Sequence, residues 1–287
     1  MTAGSILRAL SIVGGLLALT GCAPVDLLNA TIPTDDLAIT RDVAYGADAR
    51  QRLDIYVPKS HSGALPVVVF FHGGAWQSGD RADYLFAAAA FAAKGAVVAM
   101  PDYRVYPSVT FPGFLADSAQ ATAWVFKNIG RWGGDRRNIF LIGHSAGAYN
   151  AVMLALDEEY LENAGISTKD IAGAVGISGP YDFLPLTRPD VKPIFEVVSD
   201  MTLTQPIRFA RSDAPPLLLL TGSADITVGP YNTLNLTERM HAIGGNVEEH
   251  LYPGIAHLGS VLALAPAFRW RAPILDDIES FIRRHER

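Results

Sequence analysis

One stretch of the chain has the residue types and spacing for acyl-transfer chemistry. In Gly143-His144-Ser145-Ala146-Gly147 a serine stands between two glycines, straight after the apolar run 139–142 and straight before an alanine-rich helical stretch. Gly-x-Ser-x-Gly between a buried strand and a helix is a nucleophile elbow. The serine sits on a strained turn, the glycines leave room for crowded backbone, and the helix N-terminus favours developing negative charge. A serine hydroxyl is a weak nucleophile until a base takes its proton. Chains with this elbow supply the partners in the order serine, acid, histidine. Of the seven histidines, His61, His72 and His144 precede Ser145, His241 and His285 fall in helical patterns, and His250 ends a strand. His257, in the glycine-bearing loop Tyr252-Pro253-Gly254-Ile255-Ala256-His257-Leu258-Gly259, is left as the base.

The acid must orient that imidazole and stabilise its protonated form. Asp225 lies just past the apolar run 217–221 and 32 residues before His257. Asp182, in Ser178-Gly179-Pro180-Tyr181-Asp182, also follows a strand pattern and is the rival. Asp225 is favoured, and Asp182 is taken to tether the segment that follows it. A tetrahedral intermediate further needs fixed donors aimed at its oxyanion. The glycines of His72-Gly73-Gly74-Ala75-Trp76 let backbone N–H groups crowd a reacting carbonyl, so Gly73, Gly74 and Ala146 are the expected donors. His72 is expected to hold that loop. Trp76 and His144 are expected to touch substrate.

The elements that must position these residues are legible as alternating apolar runs and helical patterns, the signature of a mostly parallel sheet covered on both faces. Strands are expected at 53–57, 66–71, 96–100, 139–143, 172–177, 217–221 and 247–251, with an antiparallel edge including 42–45, about eight in all. Helices are expected at 84–93, 114–128, 146–156, 231–243 and 272–284. Residues 180–216 carry seven prolines, which exclude one continuous helix. An insertion this long is expected to form a small cap over the site.

The N-terminus reads as an export signal. Arg8 is the lone charge before an apolar run of about ten residues, too short to span a bilayer. Leu19-Thr20-Gly21-Cys22 then resembles the lipobox of bacterial lipoprotein precursors. Residues 1–21 are expected to be removed, Cys22 to be lipidated, residues 22–40 to form a tether, and 41–287 to fold as one domain. Cys22 is the sole cysteine, so no internal disulfide is available. Cleavage would leave 266 residues with 22 basic against 29 acidic side chains. That balance argues against a nucleic-acid partner and a polybasic membrane surface, leaving the lipid on Cys22 as the expected attachment to the cell envelope.

From about residue 45 to the C-terminus the chain resembles the carboxylesterase branch of the α/β-hydrolases, which includes hormone-sensitive-lipase-like esterases, prenylcysteine methylesterases, kynurenine formamidases and bacterial feruloyl-esterase-like enzymes. The resemblance is carried by Arg52-Leu53-Asp54-Ile55-Tyr56, Phe71-His72-Gly73-Gly74-Ala75-Trp76, Pro101-Asp102-Tyr103-Arg104, Gly133-Gly134-Asp135 and the elbow. Asp102, Arg104 and Asp135 are taken as scaffold. Ala75 in place of a third glycine, and His144 before the serine, fit the formamidase, methylesterase and feruloyl-esterase side better than the lipase-like one. The resemblance implies an α/β-hydrolase fold and acyl transfer to water through an acyl-serine, with a small-molecule ester as substrate and without metal or organic cofactor. No zinc-ligand spacing competes. An arylformamidase-type amidase is the enzymatic alternative. A binding lipoprotein that kept the fold without the reaction is the alternative of another class, disfavoured because every catalytic position holds a competent residue.

Overall fold

The computed structural model describes residues 24–287. The expected signal sequence and Cys22 therefore lie outside the described residues. Eight strands form one sheet: β1 (Leu37–Ala44), β2 (Arg52–Pro58), β3 (Leu65–Phe71), β4 (Val97–Pro101), β5 (Gly134–His144), β6 (Ile171–Ile177), β7 (Leu217–Gly222) and β8 (Val247–Tyr252). Their order is β1-β2-β4-β3-β5-β6-β7-β8. β1 and β2 pair antiparallel, as do β2 and β4, and every later pairing is parallel. The helices are α1 (Pro24–Ala30), α2 (Leu85–Ala93), α3 (Gly113–Asn128), α4 (Ala146–Leu156), α5 (Glu158–Asn163), α6 (Lys192–Phe195), α7 (Tyr231–Ala242), α8 (His257–Leu262) and α9 (Ile274–His285). This is the α/β-hydrolase fold.

The sheet is central because its inner strands are apolar on both faces. Along β3 the side chains alternate: Val67, Val69 and Phe71 enter one core with α3 and α4, while Val68 and Phe70 enter the other with α2 and α9. Each such side chain contributes on the order of 1.5–3 kcal/mol on leaving water. α9 buries Ile274, Leu275, Ile278, Phe281 and Ile282, a helical stripe, and turns Asp276 and Arg283 outward. α4 has no polar face to spare and is buried along its whole length beneath β5.

Two expectations are corrected by the structure. Residues 22–40 were expected to be a tether, yet α1 and the first half of β1 lie within them. Asn29 binds the carbonyls of Ala82 and Asp83 and accepts the N–H of Phe86, and Ile32 is buried against the α2 face. A short helix and an edge strand give little periodicity to read, because their stability comes from what they pack on. The second concerns His257, expected in a loop, which opens α8.

The insertion 180–216 holds α6 and two short 3-10 turns, Met201–Thr204 and Pro206–Phe209. It presses Phe183 and Phe195 onto Trp76 and Tyr149. No helix among the described residues is long and apolar enough to cross a membrane.

Candidate active site

Parallel pairing brings the functional loops to one edge of the sheet, where the strands end. The register Phe71↔Gly143 sets the loop after β3 beside the turn after β5. β7 and β8 deliver Asp225 and His257 to the same edge. Ser145 adopts φ 55° and ψ −119°, a conformation costly for a residue with a side chain. Close approach enforces it. A Cβ on Gly143 would lie 2.2 Å from the carbonyl oxygen of Gly147, and one on Gly147 would lie 2.0 Å from that of Phe71. The elbow is held by those contacts and by Ser145 N–H donating to Ile177 O at 2.9 Å.

Ser145, His257 and Asp225 meet. His257 Nε2 lies 2.9 Å from Ser145 Oγ, and its Nδ1 lies 2.7 Å from Asp225 Oδ2. The carboxylate accepts from Nδ1–H, so Nε2 is left with its lone pair facing the serine. The second oxygen of Asp225 accepts the N–H groups of Thr227 at 3.0 Å and Val228 at 2.9 Å. Burial alone would raise the Asp225 pKa. The hydrogen bond from His257 and those two N–H groups outweigh it, and the carboxyl is held below its ordinary value. Burial is graded along the line: the Asp225 side chain is covered, that of His257 is 12% exposed, and Ser145 is half-buried. Asp182 faces elsewhere, its Oδ2 accepting from Asn235 of α7 at 2.7 Å.

The expected donors require a correction. Gly73 N–H is spent on the Tyr84 hydroxyl at 3.0 Å. No acceptor among the described residues takes the N–H of Gly74, Ala75 or Ala146. Gly74, Ala75 and Trp76 all have positive φ, so this loop turns sharply just past β3. Gly74, Ala75 and Ala146 are thus the residues whose N–H groups remain open, and Gly73 is not among them. His72 holds the loop from inside: it is buried, stacks on Tyr103 at 4.4 Å, and places Nδ1 2.7 Å from Gly73 O.

His144 and Trp76 are also corrected. His144 is 2% exposed, with Nδ1 3.1 Å from the Tyr84 hydroxyl and Nε2 3.3 Å from His257 O, so no face is left for substrate. Trp76 is 4% exposed; its indole N–H donates to Asn150 at 3.2 Å, and Tyr149 and Phe195 pack edge-on against it. It belongs to the aromatic core beneath the insertion. Tyr84, Asn150 and Ser260 were not legible as site residues, because none sits in a motif.

A cleft of about 830 Å³ between α3 and α5, lined by Trp124, Tyr160 and Phe209, includes none of these catalytic groups. The scaffold residues are paired: Asp102 with Arg81, Arg104 with Asp117, and Asp135 with Arg137.

The model of the family described as BD-FAE matches residues 53–240. The chain belongs to the BD-FAE family. Isoprenylcysteine alpha-carbonyl methylesterase ICME of Arabidopsis thaliana is 31% identical over 86% of this BD-FAE chain and 63% of its own length. Esterase LipC of Mycobacterium tuberculosis is 32% identical over 76% of the chain and 59% of its own. Kynurenine formamidase of Danio rerio is 32% identical over 65% and 60%. The chain thus spans about three fifths of the length of these curated relatives. Among solved structures, a truncated carbohydrate esterase from gut microbiota superposes with a TM-score of 0.76 at 19% identity, covering 88% of this chain and 99% of that one. Thermogutta terrifontis esterase 2 phosphoramylated by tabun gives 0.72 at 22%, covering 88% and 96%.

Proposed function

We propose that the protein is a serine hydrolase that cleaves small or medium carboxylic esters through an acyl-serine intermediate. The observation that carries this is the unbroken line from Ser145 Oγ through His257 to the ionised Asp225. Ser145 Oγ attacks the ester carbonyl carbon while its proton passes to His257 Nε2. The oxyanion meets the N–H groups of Gly74, Ala75 and Ala146, and Asp225 stabilises the imidazolium. The C–O bond to the alcohol then breaks, the leaving oxygen takes the proton from Nε2, and a water activated by the same imidazole releases the acid. Exposed Ile226 and Leu258, next in sequence to the acid and the base, give the rim an apolar character suited to an ester.

Ser145→Ala tests this. Turnover of p-nitrophenyl acetate should fall by at least about 10⁴-fold with the fold intact, whereas undiminished hydrolysis eliminates the assignment. Labelling of Ser145 by a fluorophosphonate separates it from a binding lipoprotein, which would stay unmodified.

An arylformamidase activity is the second reading, favoured by the kynurenine formamidase relative. Negligible cleavage of N-formylkynurenine beside aryl acetates removes it. We propose as well that the chain is exported and lipidated on Cys22, supported by the cationic head, the apolar run and Leu19-Thr20-Gly21-Cys22. Unaltered membrane fractionation of Cys22→Ser would refute this.

A further inference from the structure

The residue before the nucleophile and a tyrosine from the start of α2 are unused by the reaction just described, yet they join its two halves. We propose that Tyr84 and His144 are positioning residues, forming a hydrogen-bond relay of fixed direction that ties the oxyanion loop to the backbone of the catalytic histidine. This rests on the acyl-serine reading.

The direction follows from chemistry. His257 O can only accept, so His144 Nε2, 3.3 Å away, carries the hydrogen. Burial, and then repulsion from His257, lower the His144 pKa to about 3, so the ring is neutral and Nδ1 keeps its lone pair. Burial pushes the Tyr84 hydroxyl up to about 12, so it stays protonated and donates to Nδ1 across 3.1 Å. Its oxygen is then free to accept Gly73 N–H at 3.0 Å. The other tautomer fails twice. It would set a lone pair of Nε2 against the carbonyl oxygen, and it would leave the tyrosine hydrogen with no acceptor.

The far end of the relay is anchored independently. Ser260 Oγ donates to His257 O at 2.6 Å and lies 2.9 Å from Ser178 Oγ, at the end of β6. The carbonyl of the catalytic base is therefore gripped from two sides. The near end lies one residue from the unpaired N–H of Gly74. A shift of the loop against His257 would misalign the donors with the oxyanion, which exists only in the tetrahedral state, and leave ground-state binding little changed. The loss should fall on kcat.

The test compares Tyr84→Phe, His144→Leu and His144→Gln with the parent on p-nitrophenyl acetate, alongside Ser145→Ala. Tyr84→Phe and His144→Leu should each lower kcat by about 10- to 100-fold with KM within about twofold. Inhibition by an aryl trifluoromethyl ketone, which forms an oxyanion adduct on serine, should weaken by the same factor. His144→Gln offers one carbonyl acceptor and one N–H donor and should recover most of the loss, an outcome that volume alone does not produce. A dead Ser145→Ala with unchanged kcat and inhibition in folded Tyr84→Phe overturns the relay and leaves the acyl-serine reading standing. If Tyr84→Phe does not fold, the two His144 variants decide: equal impairment of Gln and Leu overturns it. Undiminished hydrolysis by Ser145→Ala removes both.

Discussion

Strands β6 and β7 lie side by side, are buried along their whole length, and each leads through a glycine to an aspartate three residues on: Gly179 to Asp182, Gly222 to Asp225. The two corners diverge in what meets the carboxylate. After β7, backbone N–H groups occupy one oxygen of Asp225 and the other faces the imidazole brought in from beyond β8. After β6, Asp182 Oδ2 takes Asn235, while the N–H groups of Tyr181 and Asp182 converge on Asn232 Oδ1, so the corner is stitched to α7. Two imidazoles repeat the contrast with centroids 4.9 Å apart: His257 has a carboxylate partner, and His144 has only a hydroxyl and a carbonyl. A titratable side chain acquires its chemistry from what a distant element brings to it.

The sharpest way to break this comparison is to exchange the roles of the two aspartates. Asp225→Asn should lower kcat by about 10³- to 10⁴-fold, because an amide can hold the wrong imidazole tautomer. Steady-state rates on p-nitrophenyl acetate read this directly, and a loss under tenfold would assign the acid elsewhere. The depressed Asp225 pKa means that its contribution to stability is present above the unfolded value and lost as pH falls through the folded one. It therefore stays ionised at neutral pH.

The histidine pair is sharpened by pH. Burial lowers His72 to about 4 and His144 to about 3, so both are neutral in the fold and take protons on unfolding in acid. Their folded pKa values lie below the unfolded ones, so stability is full above about pH 6.5 and is lost as pH falls toward the folded values. Between pH 7 and pH 5 the loss should be about 2 kcal/mol per histidine. Urea melts at the two pH values check this, and His144→Gln should lessen the loss by about 2 kcal/mol, the share belonging to one histidine. Equal losses in parent and variant would contradict a neutral His144.

The smallest effect belongs to the β6 corner. Asp182→Ala should cost about 1–2 kcal/mol by thermal melting, through the bond to Asn235. Its kcat should stay within about threefold of the parent. A fall comparable to that of Asp225→Asn would erase the distinction between the corners.

The strands were legible because their apolar runs are local: 66–71 or 217–221 is buried whichever neighbour it finds. The elbow was legible because its turn is built from five consecutive residues, with glycines at the two positions where a Cβ would strike backbone. Helix α1 and the first half of strand β1 were missed because the order of this segment depends on contacts such as Asn29 reaching residues some fifty positions away. Gly73 was mistaken for a donor for the same reason, its N–H being claimed by Tyr84.

By itself, then, the sequence determined the alternation of strands and helices, the nucleophile and the candidate base, since hydrophobic period and turn geometry are short-range properties. Only the tertiary structure decided which aspartate faces His257, which N–H groups remain free, and that His144 turns inward. Those outcomes depend on strand register and on side chains separated by 60 and 113 positions along the chain. No local spacing encodes them.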